Sequence, residues 1–120
     1  MVMNLKSDKA LPVAFYQSEH GNEPVRDWLK GLTRDERKII GEDIKLVQFC
    51  WPLGMPLVKK IDPNLWEVRS ILPNKIARIL LTVQDGAMVL LHGFIKKDQK
   101  LPIGDKRLAL TRLAKLRGAS

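Results

Sequence analysis

Residues 65–100, LWEVRSILPNKIARILLTVQDGAMVLLHGFIKKDQK, decide the fold. They contain three apolar runs of strand length, separated by short segments of Pro, Asn, Asp and Gly that are typical of turns. Because side chains alternate between the two faces of a strand, each run presents one face to a core and one away from it. The segment therefore predicts three consecutive antiparallel strands, with lysines at its end.

The residues before this segment predict one more strand and two helices. Residues 11–16, LPVAFY, are partly β-branched and aromatic and predict a first strand. Pro24 suits the first turn of a helix, and Thr33 with Glu36 three residues later matches a capping box that opens a second one. Apolar residues recur at helical spacing in both segments. Pro52 ends the pattern, so we expect a helical hairpin.

The residues after the segment predict a final helix. Asp105 is placed to cap it, and the sequence KRLALTRLAKLRG follows directly. Ala109, Leu113 and Leu116 share one face at helical spacing. Together these elements predict an α+β domain with a mainly antiparallel four-stranded sheet, an N-terminal helical hairpin packed on one face, and a C-terminal helix. We expect a single domain over residues 1–120, with residues 1–10 frayed.

Composition restricts the partners and the chemistry. The formal charge is +8, from 21 Lys and Arg against 13 Asp and Glu, and such a basic chain favours polyanionic partners, nucleic acid or acidic protein. One cysteine and two histidines lie far apart in sequence, so we expect no metal site and no cofactor. The chain has no apolar stretch of membrane-spanning length and no leader pattern, so we expect no membrane association and a cytoplasmic location.

The second hairpin decides which side chains share a face. If residues 84–86 form a three-residue loop, Val83 lies opposite Ala87, and Arg78 lies opposite His92. That register predicts one apolar face against the helices, made of Ala77, Ile79, Leu81, Val83, Ala87, Val89, Leu91, Gly93 and Ile95. It predicts an opposite face that carries Arg69, Arg78, His92, Phe94 and Lys96. This second face would be basic, partly aromatic and open to RNA.

Such a face would suit RNA cleavage without a metal. Attack by a ribose 2′-hydroxyl needs a base, cations that stabilise the phosphorane, and an acid for the leaving oxygen. The predicted catalytic residues are Arg78, His92 and Arg69, since guanidinium groups match phosphate oxygens and imidazole suits proton transfer. The predicted RNA-binding residues are Lys59, Lys60, Phe94, Lys96, Lys97 and Lys100.

Structural roles for the same residues stay open. Arg78 would equally form an ion pair with Glu67 on the neighbouring strand. His92 would equally be a packed sheet histidine, bonded to a neighbour. Lys59 and Lys60 would equally be edge lysines that discourage intermolecular strand pairing.

Four segments carry a resemblance to a known family. These are LWEVR at 65–69, IARILLTV at 76–83, LLHGFIKK at 90–97 and KLP at 100–102. With the order of the elements, they resemble the RelE/ParE toxin superfamily over about residues 11–116. The resemblance is closest to its phage-derived, HigB-like branch.

The resemblance implies a function. Similar proteins are the toxins of type II toxin–antitoxin systems and cleave translated messenger RNA in the ribosome. It implies a cognate antitoxin, a HigA-like helix-turn-helix protein, through which operator DNA would be bound. The family's central-strand arginine falls on Arg78, its strand-two arginine on Arg69, and its late basic residue on Lys96 or Lys97. Lysines near the second strand match Lys59 and Lys60 loosely.

One departure affects the chemistry. Many of these nucleases have a tyrosine or histidine near the C-terminus, whereas this chain has neither after Lys100. His92 is the substitute predicted here. A ParE-like toxin that inhibits gyrase, and a basic RNA-binding module without catalysis, remain alternatives.

Overall fold

The computed structural model describes residues 10–96 and 101–118. The elements in chain order are β1 (Val13–Phe15), α1 (Pro24–Lys30), α2 (Arg34–Cys50), β2 (Val58–Asp62), β3 (Leu65–Leu72), β4 (Lys75–Gln84), β5 (Ala87–Lys96) and α3 (Ile103–Gly118).

The strands form one mixed sheet in the order β1-β5-β4-β3-β2. β1 pairs parallel to β5, and the three other pairs are antiparallel. The α+β class and the mainly antiparallel sheet are confirmed. The prediction of four strands is wrong, because Val58–Asp62 forms a fifth at the far edge. Its adjacent lysines interrupt the apolar alternation, and an edge strand tolerates such charges.

Helices cover both faces of the sheet. α1 and α2 pack on one face, over a core that includes Val25, Ile40 and Val47 from the helices and Ile79 and Leu81 from β4. This confirms the predicted helical hairpin. α3 packs on the opposite face through Ala109 and Leu113, against buried residues of β3, β4 and β5. The face predicted to be open is therefore covered.

The predicted capping box holds the start of α2. The Glu36 amide donates to the Thr33 hydroxyl at 3.1 Å, and the Thr33 amide donates to the Glu36 carboxylate at 2.9 Å. The other Glu36 oxygen lies 2.7 Å from the Lys75 ammonium at the start of β4. The hydrogen bond from Lys75, with that from the Thr33 amide, holds the pKa of Glu36 below its usual value. One side chain thus caps a helix and joins it to the sheet.

The predicted register of the β4–β5 hairpin is wrong. Its loop has two residues, Asp85 and Gly86, with φ of 52° and 76°, as a type I′ turn requires. An irregularity follows, since Leu81 pairs with Leu90 whereas Leu80 pairs with His92. Leu91 is the extra residue of this bulge. Arg78 therefore lies opposite Phe94, and His92 lies opposite Leu80.

The bulge also changes which side chains share a face. Ala77, Ile79, Leu81 and Val83 pack in the core beneath the helical hairpin, as predicted. Before the bulge, however, Met88 and Leu90 join that core, whereas Val89 and Leu91 pack with α3. Gly93 lies under Trp28 of α1, where an added Cβ would come within 2.4 Å of the indole ring. For Gly93 and Ile95, which follow the bulge, the prediction that they face the helical hairpin is thus correct.

α3 begins two residues before the predicted cap. Asp105 is the third residue of the helix, in its acidic first turn, and not the residue that precedes it. The buried residues Ala109 and Leu113 lie on the face that was predicted. Among the described residues, no helix is long and apolar enough to cross a bilayer.

Candidate nucleic-acid interface

The sheet face beneath α3 contains a buried ion pair. The Arg78 guanidinium donates to the Glu67 carboxylate at 2.9 Å, and the side chains are only 4% and 1% exposed. This is the structural role that the sequence left open for Arg78. A phosphate could reach this guanidinium only if the covering residues moved, so the interpretation of Arg78 as part of an open RNA-binding face is wrong. Its catalytic role stays a prediction.

The other basic residues predicted for this face do not form one open surface. Arg69 pairs directly with Arg78 across the strands, yet it also lines a separate surface cavity with Ile71 and Leu57. Lys96, at the end of β5, is buried. Lys97 and Lys100 lie outside the described residues. The structure therefore brings Arg69 and Arg78 together but does not expose them as a pair.

His92 belongs to a polar cluster that fastens α3 to β5. Its Nε2 lies 2.6 Å from the Asp105 carboxylate, and Arg112 approaches its Nδ1 at 3.5 Å. Arg112 also donates to the Leu91 carbonyl at 2.8 Å, and burial lowers the pKa of its guanidinium. The Phe94 ring stacks on the imidazole, with 5.4 Å between the centroids.

This cluster favours the structural role for His92. Both ring nitrogens face protein groups, and the side chain is 15% exposed. Phe94 likewise packs in the core beneath α3, so base stacking would require that core to open. Sequence analysis missed Asp105 as the partner of His92. The signal was that Asp105 is the only carboxylate after Lys100 in the chain, and we assigned it to a cap instead.

One cluster of accessible cations lies at the β2 edge of the sheet, where β2 meets α3. A groove of about 530 Å³ runs between them. We call it the basic groove, and it is lined by Lys59, Lys60, Ile61, Leu101, Ile103, Lys106, Arg107 and Leu110. Lys59 and Lys60 were predicted from sequence to bind RNA, whereas Lys106 and Arg107 were not among the predicted residues.

The charges of the basic groove are only partly balanced. Lys106 lies 3.9 Å from the Asp62 carboxylate, which is a long and exposed ion pair of small energetic value. The Lys60 ammonium lies 6.0 Å from the centre of the Trp66 ring, at the limit of a cation–π contact. Lys59 and Arg107 are exposed and form no ion pair with a described residue. Four cations beside one carboxylate attract phosphate.

The groove is also suited to RNA in shape and composition. It is a surface cleft with an apolar floor from Ile61, Leu101 and Leu110, where a sugar or base can pack. Within residues 10–96 and 101–118, no group of His, Cys, Asp or Glu is arranged to hold a metal ion. The arrangement can bind a phosphodiester and stabilise added negative charge on it.

Comparison with known protein families shows which family the chain belongs to. Residues 27–114 match the family described as phage-derived protein Gp49-like (DUF891). The chain belongs to the phage-derived Gp49-like family. That family is linked to RelE-like toxins of toxin–antitoxin systems, and the five-stranded sheet with three helices is compatible with a RelE-like fold. No curated protein matches the sequence at a significant level.

Family membership supports part of what the sequence implied. The predicted toxin with an antitoxin partner is consistent with membership of this family, and so is the predicted endoribonuclease activity of the RelE-like kind. The family match supports the toxin class. It does not extend to the HigB-like branch, to ribosome dependence or to the type of antitoxin.

Proposed function

We propose that the protein is the toxin of a type II toxin–antitoxin system and cleaves translated messenger RNA, which it binds through the basic groove. The observation that carries this proposal is the set of four cations at the β2–α3 edge, in a chain of net charge +8. Membership of a family linked to RelE-like toxins supports the same function. The toxin would act in the cytoplasm on the ribosome, neutralised by an antitoxin of the HigA-like helix-turn-helix kind.

The chemistry needs no cofactor. The 2′-oxygen attacks the adjacent phosphorus, the P–O5′ bond breaks, and the products are a 2′,3′-cyclic phosphate and a 5′-hydroxyl. Lys59 and Arg107 hold the phosphate and stabilise the negative charge of the phosphorane. They replace Arg78 in this role, because the Arg78 guanidinium already binds Glu67 beneath α3.

Proton transfer falls to groups at the groove. Asp62, whose side chain is 35% exposed, takes the proton of the 2′-hydroxyl, and the Lys106 ammonium beside it gives a proton to the leaving 5′-oxygen. His92 is the weaker candidate, since Asp105 already occupies its Nε2. This assignment predicts that Asp62→Asn removes cleavage and leaves RNA binding intact.

The test is induction in a host that lacks the antitoxin, with growth and the 5′ ends of messenger RNA followed together. We expect the wild type to arrest growth and to produce new 5′ ends inside translated codons. Lys59→Ala/Arg107→Ala should lose both effects. The matched control Lys30→Ala/Arg117→Ala removes the same two charges from exposed positions outside the groove and should keep both. Equal loss in the two variants would contradict a role for the groove.

A gyrase-inhibiting toxin is the second candidate. It is favoured by one observation, that Arg78 and His92, the residues predicted to be catalytic, both lie beneath α3. Growth arrest with induction of the DNA-damage response, and without new 5′ ends, would select this function.

A further inference from the structure

A second surface, on the opposite side of the sheet, has the chemistry of a protein-binding site. An apolar groove of about 320 Å³ opens between β1, α1 and α2. We call it the β1–α2 groove, and Phe15, Leu29, Gly41, Ile44 and Leu90 are among the residues that line it. Leu90 is 2% exposed and belongs to the central core. The groove therefore opens directly onto core side chains, beside an edge strand.

Gly41 is the feature of this groove that the packing of the described residues does not explain. It lies in the interior of the 17-residue helix α2, where glycine is less favourable than alanine. A Cβ at this position would meet no described residue within 4 Å, so no contact with residues 10–96 or 101–118 requires glycine. Glycine does permit the backbone of another molecule to approach closely. The surface over Gly41 is suited to such an approach.

The charged residues on the face of α2 around Gly41 are all basic. At about 100° per residue, the residues within roughly 60° of Gly41 include Arg34, Arg37, Lys38 and Lys45. Asp35 and Glu42 lie roughly 100–120° away, and within α2, which is described throughout, no carboxylate falls inside the basic sector. Arg37 also lines the groove. A partner here meets positive charge beside an apolar floor.

We propose that the β1–α2 groove docks an acidic, amphipathic segment of the cognate antitoxin. Its apolar side chains would fill the groove over Phe15 and Ile44, its backbone would pass over Gly41, and its carboxylates would face the cations of α2. The lining of this groove is apolar except for Arg37 and Gln48, whereas four cations line the basic groove, so the β1–α2 groove suits an amphipathic protein segment better than a phosphate backbone. The identity of the partner rests on the proposed toxin function. The chemistry of the segment rests on the groove alone.

This site lies on the opposite face of the sheet from the core beneath α3. The basic groove is formed by β2 and α3, whereas the β1–α2 groove borders the other edge strand. The antitoxin would therefore hold the toxin without occupying the basic groove. RNA and antitoxin should then bind simultaneously to the purified protein.

The experiment uses the full chain and the protein encoded by the adjacent gene, where the antitoxin of such a toxin is expected, with affinity measured by titration calorimetry. Gly41→Glu places bulk and negative charge in the groove, and we expect at least tenfold weaker binding. Gly118→Glu is the matched control, because Gly118 also has open space around its Cβ and lies at the end of α3. It should bind as the wild type does. Arg34→Glu/Lys45→Glu should weaken binding without adding bulk at Gly41.

Other outcomes would overturn the proposal. These are equal binding by Gly41→Glu and Gly118→Glu, or no binding of the adjacent protein to the wild type. If Gly41→Glu instead weakens binding of a 20-nucleotide RNA, the face belongs to nucleic acid. If it lowers the melting temperature of the isolated chain, or changes its oligomeric state, the occupant is a segment of this chain or a second copy.

Failure of the toxin function gives a different result. A wild type that binds the adjacent protein through Gly41 but does not arrest growth contradicts toxicity, and it upholds the docking site for a protein partner.

Discussion

At the scale of single residues, the buried ion pair decides how Arg78 should be interpreted. Glu67 and Arg78 lie on adjacent strands with almost no exposure, and each neutralises a charge that the core cannot solvate. Loss of either partner leaves an uncompensated buried charge. A loss of toxicity on mutation of Arg78 alone would therefore not identify a catalytic residue.

Arg78→Ala should lower the free energy of unfolding by about 3–5 kcal/mol, because Glu67 stays buried without its cation. Glu67→Leu/Arg78→Met should recover most of that loss, since apolar replacement of a buried pair is often neutral. Urea unfolding measures both. If the stable double variant arrests growth, Arg78 is structural; if it is stable but harmless, Arg78 has a direct role in activity.

Gly93 is a second residue whose identity the fold requires. Gly93→Ala should destabilise the protein by about 1–3 kcal/mol, because the new Cβ would overlap the Trp28 ring at 2.4 Å. Gly41→Ala is the control, and we expect it to stabilise α2 by about 0.5–1 kcal/mol. Thermal unfolding of the two variants should shift in opposite directions. A shift in the same direction would contradict this packing.

At the scale of elements, Glu36 joins the start of α2 to the start of β4. Because Lys75 lowers the pKa of Glu36 in the folded state, the ionised carboxylate stabilises the protein above the unfolded pKa of about 4.3. This contribution is lost as the pH falls through the lower folded pKa.

Glu36→Gln should therefore be less stable than the wild type at pH 7, and the difference should shrink as the pH falls below about 4. Chemical denaturation from about pH 2 to about pH 8, which spans the titration of carboxylates, measures this difference. Glu42→Gln, on the same helix, is the control, since its carboxylate forms no ion pair with a described residue. A difference that does not depend on pH would show that the charge of Glu36 is unimportant.

The elements that could be predicted from sequence were those with a local signal. Helical spacing and the Thr33–Glu36 box located α2, and an apolar run of strand length between turn residues located β4. The bulge at Leu91 had no such signal, because residues 87–91 are all apolar and fit either face. β2 was missed because its paired lysines break the alternation.

At the scale of the whole molecule, the predicted exposure of the sheet face was wrong because a helix distant in sequence covers it. The register places Arg69, Arg78, His92, Phe94 and Lys96 on the side of the sheet that was predicted, although Val89 and Leu91 lie there as well, against the prediction. Only the packing of α3 through Ala109 and Leu113 shows that this face is covered. The basic groove likewise arises from two elements that are distant in sequence, β2 and α3, and only the fold brings their cations together.

The charge of the groove makes RNA binding depend on salt. Neutralising four phosphates of a single strand should give a slope of about −3 in log K against log of the salt concentration. Lys59→Ala/Arg107→Ala should reduce its magnitude by about half. Fluorescence anisotropy at several salt concentrations measures both slopes. An unchanged slope in the double variant would place the phosphates elsewhere.

The central claim is that RNA contacts the β2–α3 edge and not the sheet face that the sequence suggested. The most direct measurement is photocrosslinking of the full chain to RNA that contains 4-thiouridine, followed by mass spectrometry of the crosslinked peptides. The account predicts crosslinks within Val58–Asp62 and the first two turns of α3. Crosslinks concentrated in β4 and β5, or on the exposed face of α2, would contradict it.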